Sequence, residues 1–237
     1  LLKVQQGGAD LAVFTYDGAG RRVTKTAGGV TRTYIYDGPD ILEERVSTGD
    51  VIRYVHGPGM DNVLARTTNG ANAVYYATDH LGSIVHETNA AGAVTLHREY
   101  DAWGELKQGQ GTSGFAFTGR EWDAETGLYF YRARYYEPTS GRFVGEDPAG
   151  YVDGPNLFSY VSGRPTGYRD PLGLCGEQGQ MTRAEAEARL AEIDAYADTA
   201  VDMILAGTLL FPGPGGAQRA MTTLEEAGSL SAVEWQA

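Results

Sequence analysis

Apolar and polar residues alternate along the first hundred positions of the chain. The runs Thr31-Arg32-Thr33-Tyr34-Ile35-Tyr36, Val51-Ile52-Arg53-Tyr54-Val55 and Val94-Thr95-Leu96-His97-Arg98-Glu99-Tyr100 have a period of two. That spacing belongs to strands with one buried face. A tyrosine followed by an acid or histidine and then a glycine punctuates them. It occurs at Tyr16-Asp17-Gly18, Tyr36-Asp37-Gly38 and Tyr54-Val55-His56-Gly57, then at Tyr76 with Asp79-His80-Leu81-Gly82, and at Tyr100-Asp101 with Gly104. The tyrosines are 20, 18, 22 and 24 residues apart, enough for two short strands and a turn in each unit. Hairpin units that cannot bury a face alone are expected to wind into one continuous antiparallel sheet. Asp17-Gly18, Asp37-Gly38 and Asn69-Gly70 are expected to supply the positive φ of tight turns, with tyrosine filling the sheet and aspartate capping the turn.

From residue 115 to 174 the text is denser and less regular. Asn156-Leu157-Phe158-Ser159-Tyr160 is expected to be a short helix capped by Asn156. Leu128 to Tyr136 reads as one alternating strand, which would put Arg132 and Arg134 on the same face. After Leu174 the pattern switches. Thr182-Arg183-Ala184-Glu185 is a capping box, and Leu190, Ile193, Ala197, Val201, Ile204 and Leu205 follow at helical spacing. Pro212-Gly213-Pro214-Gly215-Gly216 ends that helix, and a second is expected over 217–227 before Gly228. The domain boundary is therefore placed at 174–176. Three regions result: a repeat sheet over 1–114, a denser end over 115–174, and a small helical tail over 175–237.

Composition adds exclusions. With 237 residues the chain can hold one or two domains with a real core. Fifteen tyrosines against seven phenylalanines, and 33 glycines without a collagen-like period, fit many short strands and tight turns. A net charge of −12 argues against a face for duplex nucleic acid. The one cysteine, Cys175, excludes an internal disulfide framework. His56, His80, His86 and His97 fall on different repeats without ligand spacing, so neither a metal nor another cofactor is expected. The opening Leu1-Leu2-Lys3-Val4-Gln5 has no signal-peptide character and is expected to continue from a longer chain. The apolar run 203–211 is too short to span a bilayer.

The ordered set Tyr76, Asp79-His80-Leu81-Gly82-Ser83, Tyr100-Asp101-Ala102-Trp103-Gly104, Phe117-Thr118-Gly119-Arg120, Glu125-Thr126-Gly127-Leu128-Tyr129, Ala133-Arg134-Tyr135-Tyr136, Gly141-Arg142-Phe143, Asp147-Pro148 and Asp170-Pro171-Leu172-Gly173-Leu174 resembles the Rhs repeat-associated core domain of the YD-repeat (Rhs) family. The resemblance covers roughly residues 10 to 174 and stops there. It implies a spiralling β-sheet shell that encloses a variable C-terminal toxin, with the core domain plugging one end. It also implies release of the toxin by aspartyl-type autoproteolysis, with Asp147 and Asp170 as the acid pair, Arg134 as their supporting arginine, and Leu174–Cys175 as the cut bond. The implied partners are the rest of the shell, the chain's own toxin, an immunity protein and a secretion-system component. The implied place is secreted or at the cell envelope, in bacterial competition.

The chemistry is self-consistent. Peptide hydrolysis by two carboxylates needs one ionised to take a proton from water and one protonated to polarise the carbonyl. Close approach forces that split. Taken singly, Asp-Pro is a common turn starter and Arg134 an ordinary sheet arginine. Asp79-His80 is read as structural because neighbouring strand residues point to opposite faces. Cys175 has no partner histidine that would make it a nucleophile. A second reading is a non-catalytic YD-repeat surface, adhesion or structural module. The tail shows no recognisable toxin-enzyme constellation.

Overall fold

In a computed structural model of the protein, residues 1–109, 111–174 and 177–178 are described. The chain divides into two units, Leu1–Arg183 and Ala184–Ala237. The second, with the two expected helices, lies outside the described residues, as does Cys175.

The alternating text forms an eleven-stranded antiparallel meander in which every strand pairs with its sequence neighbour. Its strands are β1 Lys3–Gln6, β2 Ala9–Tyr16, β3 Arg22–Ala27, β4 Val30–Asp37, β5 Asp40–Val46 and β6 Val51–His56. They continue with β7 Val63–Thr68, β8 Ala71–Thr78, β9 Ile84–Asn89, β10 Val94–Tyr100 and β11 Leu106–Gly109. The five marker tyrosines fall on the even-numbered strands, so the repeat unit is a hairpin, as expected. The ends of those strands also carry register shifts, at Thr15/Tyr16, Ile35/Tyr36, Val55/His56, Ala77/Thr78 and Glu99/Tyr100. Such bulges bend a strand and increase its twist, so the repeat writes curvature into the sheet at regular intervals.

The turn chemistry differs in one detail from the expectation. Asp17 Oδ1 accepts the amides of Ala19 and Arg21, both at 3.0 Å. Asp79, Asn89 and Asp101 accept the amides two and four residues on in the same way. The positive φ then falls on the third residue after the cap, at Gly20 and Gly82 for example (φ 73° and 85°), and not on Gly18. Asp79-His80-Leu81-Gly82 is therefore a capped turn and not strand text. Its structural role stands on the cap.

A second antiparallel sheet contains β12 Gly114–Phe115, β13 Glu121–Asp123, β14 Leu128–Tyr131, β15 Arg134–Glu137 and β16 Arg142–Phe143. The single strand expected over 128–136 is a hairpin. Tyr131 pairs with Arg134 across a two-residue turn, in which Arg132 takes φ 53°. Both faces of β14 are buried. Leu128 and Phe130 pack with Ala12, Phe14 and Tyr135 against the long sheet. Tyr129 and Tyr131 join Phe117, Tyr136, Phe143 and Tyr160 on the other side. Each of these rings contributes about 1.5–3 kcal/mol by burial, which makes this hairpin the core of the unit.

The helix expected over 156–160 is absent. Asn156 Oδ1 accepts the Phe158 amide at 3.1 Å, closing a turn. The Phe158 carbonyl accepts the Phe143 amide at 3.0 Å, and Ser159 bridges to Arg142. Pairing with β16 and insertion of Tyr160 into the aromatic cluster outweigh the local capping signal. A 3-10 turn follows at Val161–Gly163, and β17 Tyr168–Arg169 pairs with β18 Glu177–Gln178.

Candidate active site

The hairpin sets the site. β15 turns Arg134 inward, leaving its side chain 3% exposed, and packs its guanidinium 3.6 Å above the Phe143 ring. Its Nη2 lies 2.9 Å from Asp147 Oδ2 and 3.2 Å from Asp170 Oδ2. Nη1 donates to the Leu157 carbonyl at 3.0 Å, and Nε donates to the Gly173 carbonyl. One arginine thus gathers two buried carboxylates and the backbone just before Leu174. Charge-assisted bonds to a planar guanidinium fix orientation as well as distance.

Each aspartate is set by its own turn. Asp147 Oδ1 accepts the Ala149 amide at 2.9 Å, and its carbonyl accepts the Gly150 amide at 3.0 Å. Asp170 Oδ1 accepts the Leu174 amide at 2.9 Å, and its carbonyl accepts the Gly173 amide at 3.3 Å. The 170–174 segment is pressed onto the β14–β15 turn, where the Ala133 amide donates to the Leu172 carbonyl at 3.1 Å. Gly173 has φ 71°, and a Cβ there would sit 2.3 Å from the Tyr131 carbonyl oxygen, so only glycine fits. Leu172 and Leu174 are both buried. Burial, with a contribution from the Asp170 charge, pushes the Tyr160 hydroxyl well above its ordinary value.

Asp147, Asp170 and Arg134 therefore meet, with Leu174 held by Asp170. Arg132 does not share their site. Its positive-φ position in the turn sends it to Asp61 (2.7 Å) and towards Asp40 (3.8 Å). Asp61 and Asp40 gave no signal in the sequence, because they lie 71 and 92 residues before Arg132, one in a turn and the other at the start of β5. Strand register also places His86 beside His97, with Nε2 and Nδ1 3.0 Å apart, although their spacing along the chain suggested no pairing. Among the described residues no group of three metal-ligating side chains forms a metal site. Among them, too, no helix is long and apolar enough to cross a membrane.

No family model matches the chain. It is 32% identical over 187 residues to the tRNA3(Ser)-specific nuclease WapA of Bacillus spizizenii, covering 73% of this chain and 8% of that protein. It is 30% identical over 197 residues to the double-stranded DNA deaminase toxin A of Burkholderia cenocepacia, covering 69% of this chain and 14% of that protein. A solved TcdB2-TccC3 structure superposes with a TM-score of 0.59 at 26% identity, covering 73% of this chain and 10% of the other. The chain belongs to the Rhs (YD-repeat) family. It spans only a small part of the length of these relatives. The Rhs relatives are polymorphic toxins, named for nuclease and deaminase activities of their own.

Proposed function

We propose that this Rhs chain is the C-terminal part of a toxin shell, which encloses a C-terminal effector and frees it by aspartyl-type autoproteolysis after Leu174. The observation that carries the reading is the meeting of Asp147 and Asp170 on one nitrogen of Arg134, beside a Leu174 amide bonded to Asp170. In this reading 1–114 is shell, 115–174 is the core end that plugs it, and 175–237 begins the variable region. The partners are the remainder of the shell and the effector itself, followed by an immunity protein and a secretion-system component. The protein acts after secretion or delivery.

The step is a hydrolysis. The ionised carboxylate takes a proton from water as its oxygen attacks the Leu174 carbonyl carbon. The protonated carboxylate donates to the carbonyl oxygen. Collapse breaks the C–N bond to Cys175 as the carboxylic acid that took the water's proton passes it to the nitrogen, which leaves as a new amino terminus. Arg134 holds the ionised carboxylate, and its bond to the Gly173 carbonyl fixes the strand entering the site. No turnover enzyme is needed, since the substrate is the chain's own segment and is already positioned.

Intact mass measurement of the purified chain tests this. A fragment ending at Leu174 is expected, and Asp170→Asn and Asp147→Asn each abolish it. A chain that stays whole for days at neutral and mildly acidic pH would instead indicate a non-catalytic repeat module.

A further inference from the structure

Asp61 lies in the β6–β7 connection of the long sheet, with its side chain 1% exposed and a left-handed φ of 58°. For a residue other than glycine that backbone is uncommon and held in place by its surroundings. The Gly119 backbone holds it here, passing so close that a Cβ on Gly119 would sit 2.4 Å from the Asp61 carbonyl oxygen. Asp61 Oδ1 accepts from Arg120 Nη1 at 2.5 Å and from Arg132 Nη2 at 2.7 Å. Arg120 goes on to the Phe130 carbonyl in β14, through Nε at 3.1 Å and Nη2 at 2.9 Å. Arg132 goes on to the Pro171 carbonyl through Nη1, and to the Pro39 carbonyl at 3.2 Å through Nη2. Burial pushes the Asp61 carboxyl up, but Arg120 and Arg132 outweigh it and hold the group below its ordinary value, so it stays ionised.

One carboxylate of the repeat sheet thus grips the turn end of the β14–β15 hairpin twice, through Arg120 to the Phe130 carbonyl and through Arg132 in the turn itself. At the turn, its grip passes through Arg132 to the backbone one residue after Asp170. We propose that Asp61 is a positioning residue for the cut: through Arg132 it holds the 171–174 segment against the acids, so that cleavage geometry is complete only when the repeat sheet is docked on the core end. This rests on the autoproteolytic reading above. It gives that reading a control, because a loop of the shell reports its own docking to the bond that is to be broken. Arg134 is fixed from β15 and would survive the loss of Asp61, whereas the register of the segment would not.

The test is a double-mutant cycle on the cleavage rate of the full chain, read by intact mass. Asp61→Asn and Arg132→Gln are each expected to slow cleavage by about 10–100-fold, the scale of a misplaced reacting group. The double variant is expected to be no slower than the slower single, because both act through one contact. The pH profile should keep its shape, since Asp61 moves no proton. Amide exchange at Ala133 and Leu174, measured in an uncut Asp147→Asn background, should rise while β2 to β8 stay protected. A merely structural role would give additive losses and exchange spread through the sheet. If Asp61→Asn does not fold, Arg132→Gln, which leaves Asp61 paired with Arg120, carries the comparison. Cleavage at the unsubstituted rate in Asp61→Asn, with unchanged exchange at 133 and 174, overturns the proposal and leaves autoproteolysis standing. If the unsubstituted chain is never cut, autoproteolysis falls, and the exchange comparison alone decides whether Asp61 holds the segment.

Discussion

Two buried charge clusters sit in the same unit, one gathered around an acid and the other around an arginine. In the first, Asp123 on β13 faces two cations of β3. It accepts from Arg22, through Nη1 and through Nη2 at 3.3 Å, and from Lys25 Nζ at 2.8 Å. Burial pushes the Asp123 carboxyl up, yet Arg22 and Lys25 overcome it and hold it below its ordinary value. Arg22 is further held between rings, 4.5 Å from the Phe130 centroid and 5.3 Å from that of Phe14. This cluster fastens the core end to the repeat sheet. In the second, Asp147 and Asp170 crowd onto one nitrogen of Arg134. Where cations surround an acid, ionisation is settled and the group is structural. Where two acids share one nitrogen of a single arginine, ionising both is costlier, and that arrangement is the one the proposed cleavage uses.

Breaking the first cluster should have the largest effect on stability. Asp123→Asn leaves Arg22 and Lys25 buried with their shared carboxylate gone, and is expected to lower folding stability by about 3–5 kcal/mol in urea unfolding. Asp147→Asn leaves Asp170 on Arg134 and should cost clearly less while stopping cleavage. Equal losses would erase the contrast.

Next is the backbone under the second cluster. Gly173→Ala must place a Cβ against the Tyr131 carbonyl at a left-handed φ, and is expected to slow cleavage and to cost about 3 kcal/mol. Gly127→Ala, also at positive φ (70°) but facing open space, should cost only about 1 kcal/mol and leave the cut unchanged. Unfolding midpoints and intact masses separate the two.

Acid provides a third test. Since Asp123 is depressed when folded, the unfolded chain takes up its proton first. The stability from this carboxylate is present above about pH 4 and lost as pH falls through the lower folded value. Asp123→Asn should flatten that part of the acid limb in urea midpoints. An unchanged slope would show that Asp123 does not carry it. The smallest effect is expected at the surface, where Arg21→Ala removes a partly exposed pair with Asp17 at 2.7 Å and should cost under about 1 kcal/mol.

Much of the long sheet was legible because its determinants are local. Period-two runs such as 31–36 and 94–100 became β4 and β10, and the Tyr-Asp markers fell on alternate strands. Positive φ fell where expected at Gly38, Asn69 and Gly70 but not at Gly18, where the longer Asp17 turn was not legible. The bond from Asp17 Oδ1 to the Arg21 amide lengthens the turn and moves that conformation from Gly18 to Gly20. The helix expected over 156–160 failed because pairing with β16, a contact across the chain, overrode a local cap.

The acids and the arginine could be named from the ordered motif set, but not their neighbours. Periodicity put Arg132 and Arg134 on one strand face. A positive-φ turn at Arg132 separates them, sending one to Asp61 and the other to Asp147 and Asp170. The sequence by itself determined the alternating strands of the long sheet, the hairpin repeat and the capping acids, since each depends on residues within a few positions. Only the tertiary structure decided which charges meet, because those contacts join residues 13 to 101 positions apart, where a buried ion accepts whichever partner the packed sheets deliver.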